Sequence, residues 1–491
     1  MNKRTTDAEL AHRLQIAHTG DLAWTRGSGW FHYPTGGNRW ISTADEVILK
    51  LISDDLRGLH NLWVASAADP GAAKAFSVLL SVGKAASVMA LLEGGLAKDD
   101  GDFDAEPYLL NTPSGVADLR TGDLLPHDPA HLFTKITKVA FVPGAKHVLW
   151  EKALSAVPDE ILAWLQQRMG QGAVGKIAPN GLLIIFRGSG SNGKTTLLDG
   201  CSDALGHYSV LVPDKVLLGN ANDHSTEITV LKGARFAMIE ETAQARKLDV
   251  TRLKKIIEMP TITARKMRQD SMTWEASHTM FLSSNFRPVV LETDHGTWRR
   301  LALVEFPYTF SESNFRDLTK APDVLEAALA WLIEGAVAFH TESLEVPGKV
   351  KEDTANWREE TDLIMGFIRA CVEHDPTSNV LATDMLEAFN RHVGANSHLH
   401  WTDRTFVQQF GSHELHKGHG VIHRRTRDHS KVVRPMRNAG SPIPAQVWVW
   451  TGVRLKDDSD AALYTATTDW NALAAIAINE PRQEGANHAF E

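Results

Sequence analysis

Four short apolar runs in the middle of the chain predict the strands of a buried sheet. They are Leu182-Leu-Ile-Ile-Phe186, Arg235-Phe-Ala-Met-Ile239, Thr279-Met-Phe-Leu-Ser283 and Leu301-Ala-Leu-Val-Glu-Phe306. The first is apolar without alternation, the pattern of a strand covered on both faces. Elsewhere apolar residues recur at three- and four-residue steps, the period of a helix with one face in a core. That spacing covers residues 47–61 and 71–96, Trp150 to Gln171, and Val324 to Val337. Near the start, Trp24-Thr-Arg-Gly-Ser-Gly-Trp30-Phe-His-Tyr33, Gly36-Gly37 and Trp40 predict short strands joined by glycine turns, and Asn111 to Gly122 offers two turns around another. Beyond Pro347-Gly348 a charged connector precedes three helical stretches, at about 363–374, 383–393 and 402–410. Basic strands and a last strand, Val447-Trp-Val-Trp450, follow before an alanine-rich acidic tail.

Composition narrows the class. At 491 residues the chain exceeds one ordinary core, so roughly two to four domains are expected. Cys201 and Cys371 are its two cysteines, too few for a disulfide framework, which points to a reducing cytoplasm. The first residues lack the apolar core of a signal peptide, and no stretch approaches the ~18 uninterrupted apolar residues of a membrane span. A net charge of −9 excludes a chain that coats nucleic acid over its whole surface, but not a local basic channel.

The chemistry begins directly after the first apolar run. Gly188-Ser189-Gly190-Ser191-Asn192-Gly193-Lys194-Thr195 fits G-x-x-x-x-G-K-[ST] at every fixed position, and Thr196 continues into a helical stretch. Strand, loop, helix is the context this phosphate loop requires. Glycines let backbone N–H groups converge on phosphate oxygens, and the helix adds its positive end. Lys194 is expected to neutralise the β and γ phosphates of ATP, and the Thr195 hydroxyl to ligate Mg2+. Glu240 and Glu241 end the second run, so Glu240 is assigned to the metal shell and Glu241 to polarising water. Asn285, at the tip of the third run, is placed to sense the γ-phosphate or hold the hydrolytic water. Arg299 and Arg300, ahead of the fourth, suit an arginine finger acting on a neighbouring subunit, with a surface ion pair as the bland alternative.

These motifs, all between residues 188 and 300, resemble the superfamily 3 helicases of small viruses, phages and plasmids, a branch of the AAA+ ATPases. The likeness is nearer still to the helicase part of phage and plasmid primase-helicases of the poxvirus type. It is carried by Leu231-Lys-Gly-Ala-Arg-Phe-Ala-Met-Ile-Glu-Glu241, Ile262-Thr-Ala-Arg265, Phe281-Leu-Ser-Ser-Asn285-Phe-Arg-Pro288 and Asp294-His-Gly-Thr-Trp298-Arg-Arg300, within a resemblance spanning roughly residues 105 to 430. Two departures stand out. Glu258-Met259-Pro260 replaces the family's Gly-Gly-Asp before Ile-Thr-Ala-Arg, and no catalytic primase domain with an Asp-x-Asp metal set is recognisable ahead of the motor.

The resemblance implies an α/β fold: an AAA+ P-loop core with a parallel sheet and flanking helices, a mixed N-terminal domain and a C-terminal winged-helix-like domain. Expected limits are 1–104 for the N-terminal domain and 105–172 for a pre-motor helical or collar region. The core with its following helices then spans 173–346, the winged-helix-like domain 347–437, and the last strand and tail 438–491. The run Arg265-Lys266-Met267-Arg268-Gln269-Asp270 implies a pore hairpin gripping single-stranded DNA through Lys266 and Arg268, with Lys254 matching a lysine of the family pattern. Arg424, Arg425 and Arg427, in the basic segment from His416 to Arg437, suit a wing on duplex backbone. Histidines 413, 416, 419 and 423 lack a nearby cysteine and an evident acidic partner, so they do not read as a zinc set.

The expected activity is ATP-dependent unwinding or translocation of single-stranded and forked DNA for phage or mobile-element replication. A homo-oligomeric ring, a hexamer, would carry it out in a bacterial host's cytoplasm, with a separate primase or initiator as partner and no membrane. One rival is an ATP-regulated replication initiator or loader that assembles on DNA without unwinding. The other is a P-loop small-molecule kinase.

Overall fold

A computed structural model describes residues 6–67, 71, 74, 76–177, 181–218, 225–240, 247–265, 271–290, 295–310, 315–342, 345–394, 401–416, 419–435, 438 and 441–456. The chain separates into two compact units, Met1–Arg287 with Leu301–Lys351, and Pro288–Arg300 with Glu352–Glu491.

The first unit opens with the helix Asp7–His18, capped by Thr6, whose side chain accepts from the Glu9 N–H. An antiparallel meander of β1 (Leu22–Thr25), β2 (Gly29–His32) and β3 (Ile41–Thr43) follows, as the glycine-punctuated tryptophan segment predicts. The helices Asp45–Ser66 and Val82–Gly95 bury Ile52 and Val88 with Leu10 and Trp30 in a core of their own. A second antiparallel set, β4 (Leu109–Thr112), β5 (Gly115–Asp118) and β6 (Leu124–Leu125), accounts for the turns of Asn111 to Gly122.

The central sheet contains β7 (Leu183–Arg187), β8 (Ser209–Leu211) and β9 (Phe236–Ile239). The hairpin β10 (Thr261–Arg265) and β11 (Ser271–Glu275) interrupts it before β12 (Thr279–Ser284) and β13 (Leu301–Glu305). All five sheet strands run parallel, in the order β13-β7-β12-β9-β8. Every residue of β9 and β12 is buried, as the unalternated apolar runs require.

The helices Asp159–Gln171 and Pro322–Thr341 pack on this core. They cross so closely that a Cβ on Gly170 would lie 2.2 Å from the Ala336 nitrogen, and one on Gly335 2.2 Å from the Gln166 carbonyl. Only glycine fits at that crossing. Pro322–Thr341 is long and apolar enough to cross a membrane by composition, although no uninterrupted apolar run flags it, yet 61% of its most apolar window is buried within the protein. It is a core helix. Arg235, 3% exposed, donates to the carbonyls of Ala173 and Glu106, both at 3.0 Å, and lies over the Tyr208 ring. It thereby ties residues ahead of the central sheet to the start of β9.

In the second unit the helices Leu363–Cys371, Ala382–Gly394 and Asp403–Ser412 surround Phe367, Phe389, Phe406, Phe410 and Trp450. The antiparallel sheet has the order β14 (Val372–Leu381), β16 (Val447–Leu455), β15 (Ile422–Thr426). Three helices with a three-stranded antiparallel sheet is the winged-helix-like arrangement expected. One expectation is corrected: β16, allotted to a separate segment 438–491, is the middle strand of this sheet. Sequence patterning identifies a strand but not its neighbours, because pairing is not local. The acidic tail lies outside the described residues. A second correction concerns the histidines, since buried His413 does have an acidic partner, Asp362 Oδ2, at 3.0 Å.

Two other histidines predict acid sensitivity. Burial pushes His278 down to about 4, and His416 likewise to about 4 with help from His374, His413 and His419. Unfolded histidine titrates near ~6.5, so between that pH and about 4 the unfolded chain binds protons that the fold refuses. Stability is therefore full above the unfolded value and declines as pH falls towards 4, by about 3 kcal/mol for a fully buried group such as His278. His278 Nε2 donates to the Ile256 carbonyl at 3.1 Å, a bond that glutamine can replace. Thermal unfolding followed from pH 7 to 4.5 is expected to show a shallower decline for His278→Gln than for the natural chain; equal slopes would contradict it.

Candidate nucleotide site and nucleic-acid surfaces

Residues 188–193 join β7 to the helix Lys194–Leu205, and their backbone is curled by three left-handed residues, Gly190 (φ 103°), Ser191 (φ 48°) and Gly193 (φ 83°). Gly193 admits no other residue without strain, since an added Cβ would also come within 2.6 Å of Ala156. The strained Ser191 is held from outside: its carbonyl accepts from the Phe310 N–H at 2.7 Å. The curled N–H groups and the helix N-terminus behind them form a concave positive end suited to phosphate.

Lys194 is 4% exposed, and its Nζ donates to the carbonyl of Gly188 (2.9 Å), Asn192 Oδ1 (3.0 Å) and Asn285 Oδ1 (3.1 Å). The sheet order explains the last contact. β12 lies between β7 and β9, so Asn285 at its tip stands between the phosphate loop and Glu240, half-buried directly after β9. With neighbouring strands about 4.8 Å apart, the tips of β7 and β9 are separated by about 10 Å, room for a phosphate tail and a metal ion. Glu305 at the end of β13 binds Arg187 (3.1 Å) and Arg287 (2.9 Å), lacing the strand ends together beside the loop. Glu241 lies outside the described residues.

A cavity of about 590 Å³ opens above the loop, in the range of small-molecule sites. Residues 190–196 and Asn285 form one side, and Lys152, Ala153, Ala156, Thr309, Phe310, Phe315 and Arg316 the other. Gly188 and Ser189 complete the loop below it. Arg316 is positioned by Asp199 Oδ2, 2.6 Å from its Nε, and the Lys152 ammonium sits 5.1 Å from the Phe315 ring centroid. Sequence reasoning missed this second wall. Its residues follow no spacing rule; the hydrogen bonds from Phe310 to Ser191 and from Arg316 to Asp199 bring the segment after β13 back over the loop.

In volume the cavity suits a nucleotide, and it is lined by both cations (Lys152, Lys194, Arg316) and aromatic rings (Phe310, Phe315). Half-buried Thr195 and Glu240 offer the oxygen donors that Mg2+ takes. Among the described residues no group of three or more His, Cys, Asp or Glu side chains converges.

The arginine pair is resolved in character. Arg300 is 8% exposed and its Nη1 donates to the Gly296 carbonyl within its own turn, whereas Arg299 is exposed. Both belong to the second unit, where the neighbouring Trp298 packs edge-on against Trp357 at 5.0 Å.

Of the DNA candidates, β10 and β11 form the expected antiparallel hairpin, with Arg265 opposite Ser271, but Lys266 and Arg268 lie outside the described residues. Lys254 is half-buried in the helix Val250–Glu258. Arg424, Arg425 and Arg427 are exposed on or next to β15. Arg434, from the same basic segment, is instead locked onto Asp384 by two bonds of 2.8 and 3.0 Å.

Similarity to known proteins agrees with this geometry. Residues 11–158 match a family described as D5 N terminal like, and residues 186–300 a family of unknown function, DUF5906. The first match runs through the limit expected at residue 104, so the likeness begins far earlier than residue 105. The chain is 26% identical over 60% of its length to the "Putative primase C962R" of African swine fever virus, covering 35% of that protein. It thus spans about a third of the length of that relative. It is 27% identical to the "Putative helicase 022R" of Frog virus 3 over 45% of this chain and 25% of the other. Among solved structures, the apo C-terminal region of NrS-1 superimposes with a TM-score of 0.50 at 9% identity, covering 91% of this chain and 100% of that one. At that identity the likeness concerns fold alone. The two domain matches and the viral relatives, named primase and helicase, are consistent with a member of the replication-related primase-helicase family.

Proposed function

We propose that this chain is an ATP-driven motor on DNA, hydrolysing ATP at the subunit interfaces of a ring and moving single-stranded DNA through it. One observation carries the proposal: the Lys194 ammonium is held among Gly188, Asn192 and Asn285 at the floor of a cavity sized for a nucleotide. In that position Lys194 exchanges its three oxygen acceptors for β- and γ-phosphate oxygens, and Asn285, released, contacts the γ-phosphate or the attacking water. Thr195 and Glu240 would hold Mg2+, which when bound neutralises charge on the transferring phosphate. Glu241 orients water. Phe310, Phe315 and Arg316 close the cavity over the nucleotide from the same subunit. Arg299, exposed, reaches the neighbouring subunit's nucleotide, while Arg300 holds its own turn. Lys254, Lys266 and Arg268 grip the strand by its phosphates, independent of sequence.

ATP hydrolysis measured with and without single-stranded DNA, alongside strand displacement on a forked duplex, tests the motor. Stimulated hydrolysis with displacement is expected. Hydrolysis indifferent to DNA would overturn the motor in favour of a kinase-like site, and stimulation without displacement would leave the loader. The loader has one structural feature in its favour: Met259, 49% exposed at the foot of the β10–β11 hairpin, stands where the family has a different loop.

A further inference from the structure

Leaving an indole in water is costly, and among the described residues Trp448 is the tryptophan that stays exposed, at 51%. In the β15–β16 pairing Trp448 stands opposite Arg425, and Trp450 opposite His423. Paired side chains share a face of the sheet. The His423 ring stacks on both indoles, 4.7 Å from Trp448 and 4.5 Å from Trp450 with interplanar angles of 20° and 29°. Trp450 in turn packs edge-on against Phe410 in the core. The exposed indole is thus seated on a ring column rooted in the domain interior, so its orientation is fixed before any ligand arrives. Burial holds His423 below its ordinary pKa, so the column is uncharged at neutral pH.

The surroundings select the ligand. Arg425 is exposed opposite this ring, and Arg424, Arg427 and Lys431 are exposed on or just after the same strand. Such a stripe favours a polyanion over an apolar protein surface or a neutral small molecule. A flat aromatic ring among phosphate-binding cations is the pairing that holds single-stranded nucleic acid, because every base presents a stackable face. Within a duplex those faces are covered by neighbouring bases, and become available only in a single strand or at the last pair of a fork.

We propose that the β15–β16 hairpin is a seat for an unpaired nucleotide, with Trp448 stacked on the base and Arg425 with its neighbours on the flanking phosphates; this rests on the nucleic-acid reading above. It differs from a wing that touches duplex backbone alone, for which an exposed tryptophan has no use.

Fluorescence anisotropy of the full chain with dye-labelled single-stranded DNA and with a blunt duplex, at one salt concentration, tests it. Trp448→Ala is expected to weaken single-strand binding about tenfold and leave duplex binding within about twofold, with Trp448→Phe retaining most of the affinity. Arg425→Ala should weaken both and lower the salt slope by about one. Trp448→Ala without effect, or with equal loss on both DNAs, overturns the seat while leaving the motor intact. A natural chain that binds neither DNA overturns the nucleic-acid reading itself, and the seat with it.

Discussion

Lys194→Ala is expected to lower steady-state ATP hydrolysis by about 10²–10³-fold, the range for removing one preorganised charge from a transition state. The ammonium is nearly inaccessible to water and already faces three oxygen acceptors. Its attraction to a phosphate is therefore exerted in a poorly screened environment, where it is worth most. Alanine is a better helix former than lysine, and the loop's shape is set by backbone torsions and the bond from Phe310 to Ser191, so the fold should survive. Unchanged thermal unfolding with lost turnover is the expected pair of results. A variant that hydrolyses ATP at the natural rate would remove the assigned site and all that depends on it.

The strands of the core were legible because burial on both faces leaves an unmistakable apolar run, as in Leu183 to Phe186. The phosphate loop was legible because its constraints are local: two glycines, a lysine and a threonine serve one turn. Sheet order was not. Nothing in the chain says that β12 lies between β7 and β9, so the contact of Lys194 with Asn285, 91 residues away, could be expected in role but not in geometry. Phe310, Phe315 and Arg316 went unread for the same reason. Each is an ordinary side chain outside any motif, and only the return of the chain over the phosphate loop gives it a task. Trp448 and Trp450 show the limit from another side. Both lie on one apolar strand with the same parity, and only the end of the core beneath them leaves one at 51% exposure and the other at 1%. Gly170 and Gly335, which no motif singles out, are what permits those helices to touch.

Arg299→Ala is expected to lower turnover by about 10³-fold, the low end for an arginine that stabilises phosphoryl transfer from a neighbouring subunit. Thermal unfolding should be unchanged, because the side chain is exposed. Arg300→Ala should do the reverse, with a lowered unfolding temperature, since its buried guanidinium donates to Gly296 and supports the turn that presents Arg299. Sequence alone leaves the adjacent arginines equivalent, and burial separates them. Mixing subunits then decides where Arg299 acts. In a ring of equal parts Lys194→Ala and Arg299→Ala chains, about one interface in four joins an intact phosphate loop to an intact arginine. Hydrolysis should rise in the mixture towards that fraction of the natural rate, although neither variant is active alone. An arginine serving its own subunit predicts no recovery, because every chain in the mixture lacks one half of its site. Recovery therefore requires both a shared site and an oligomer, and its absence would confine the chemistry to the single chain.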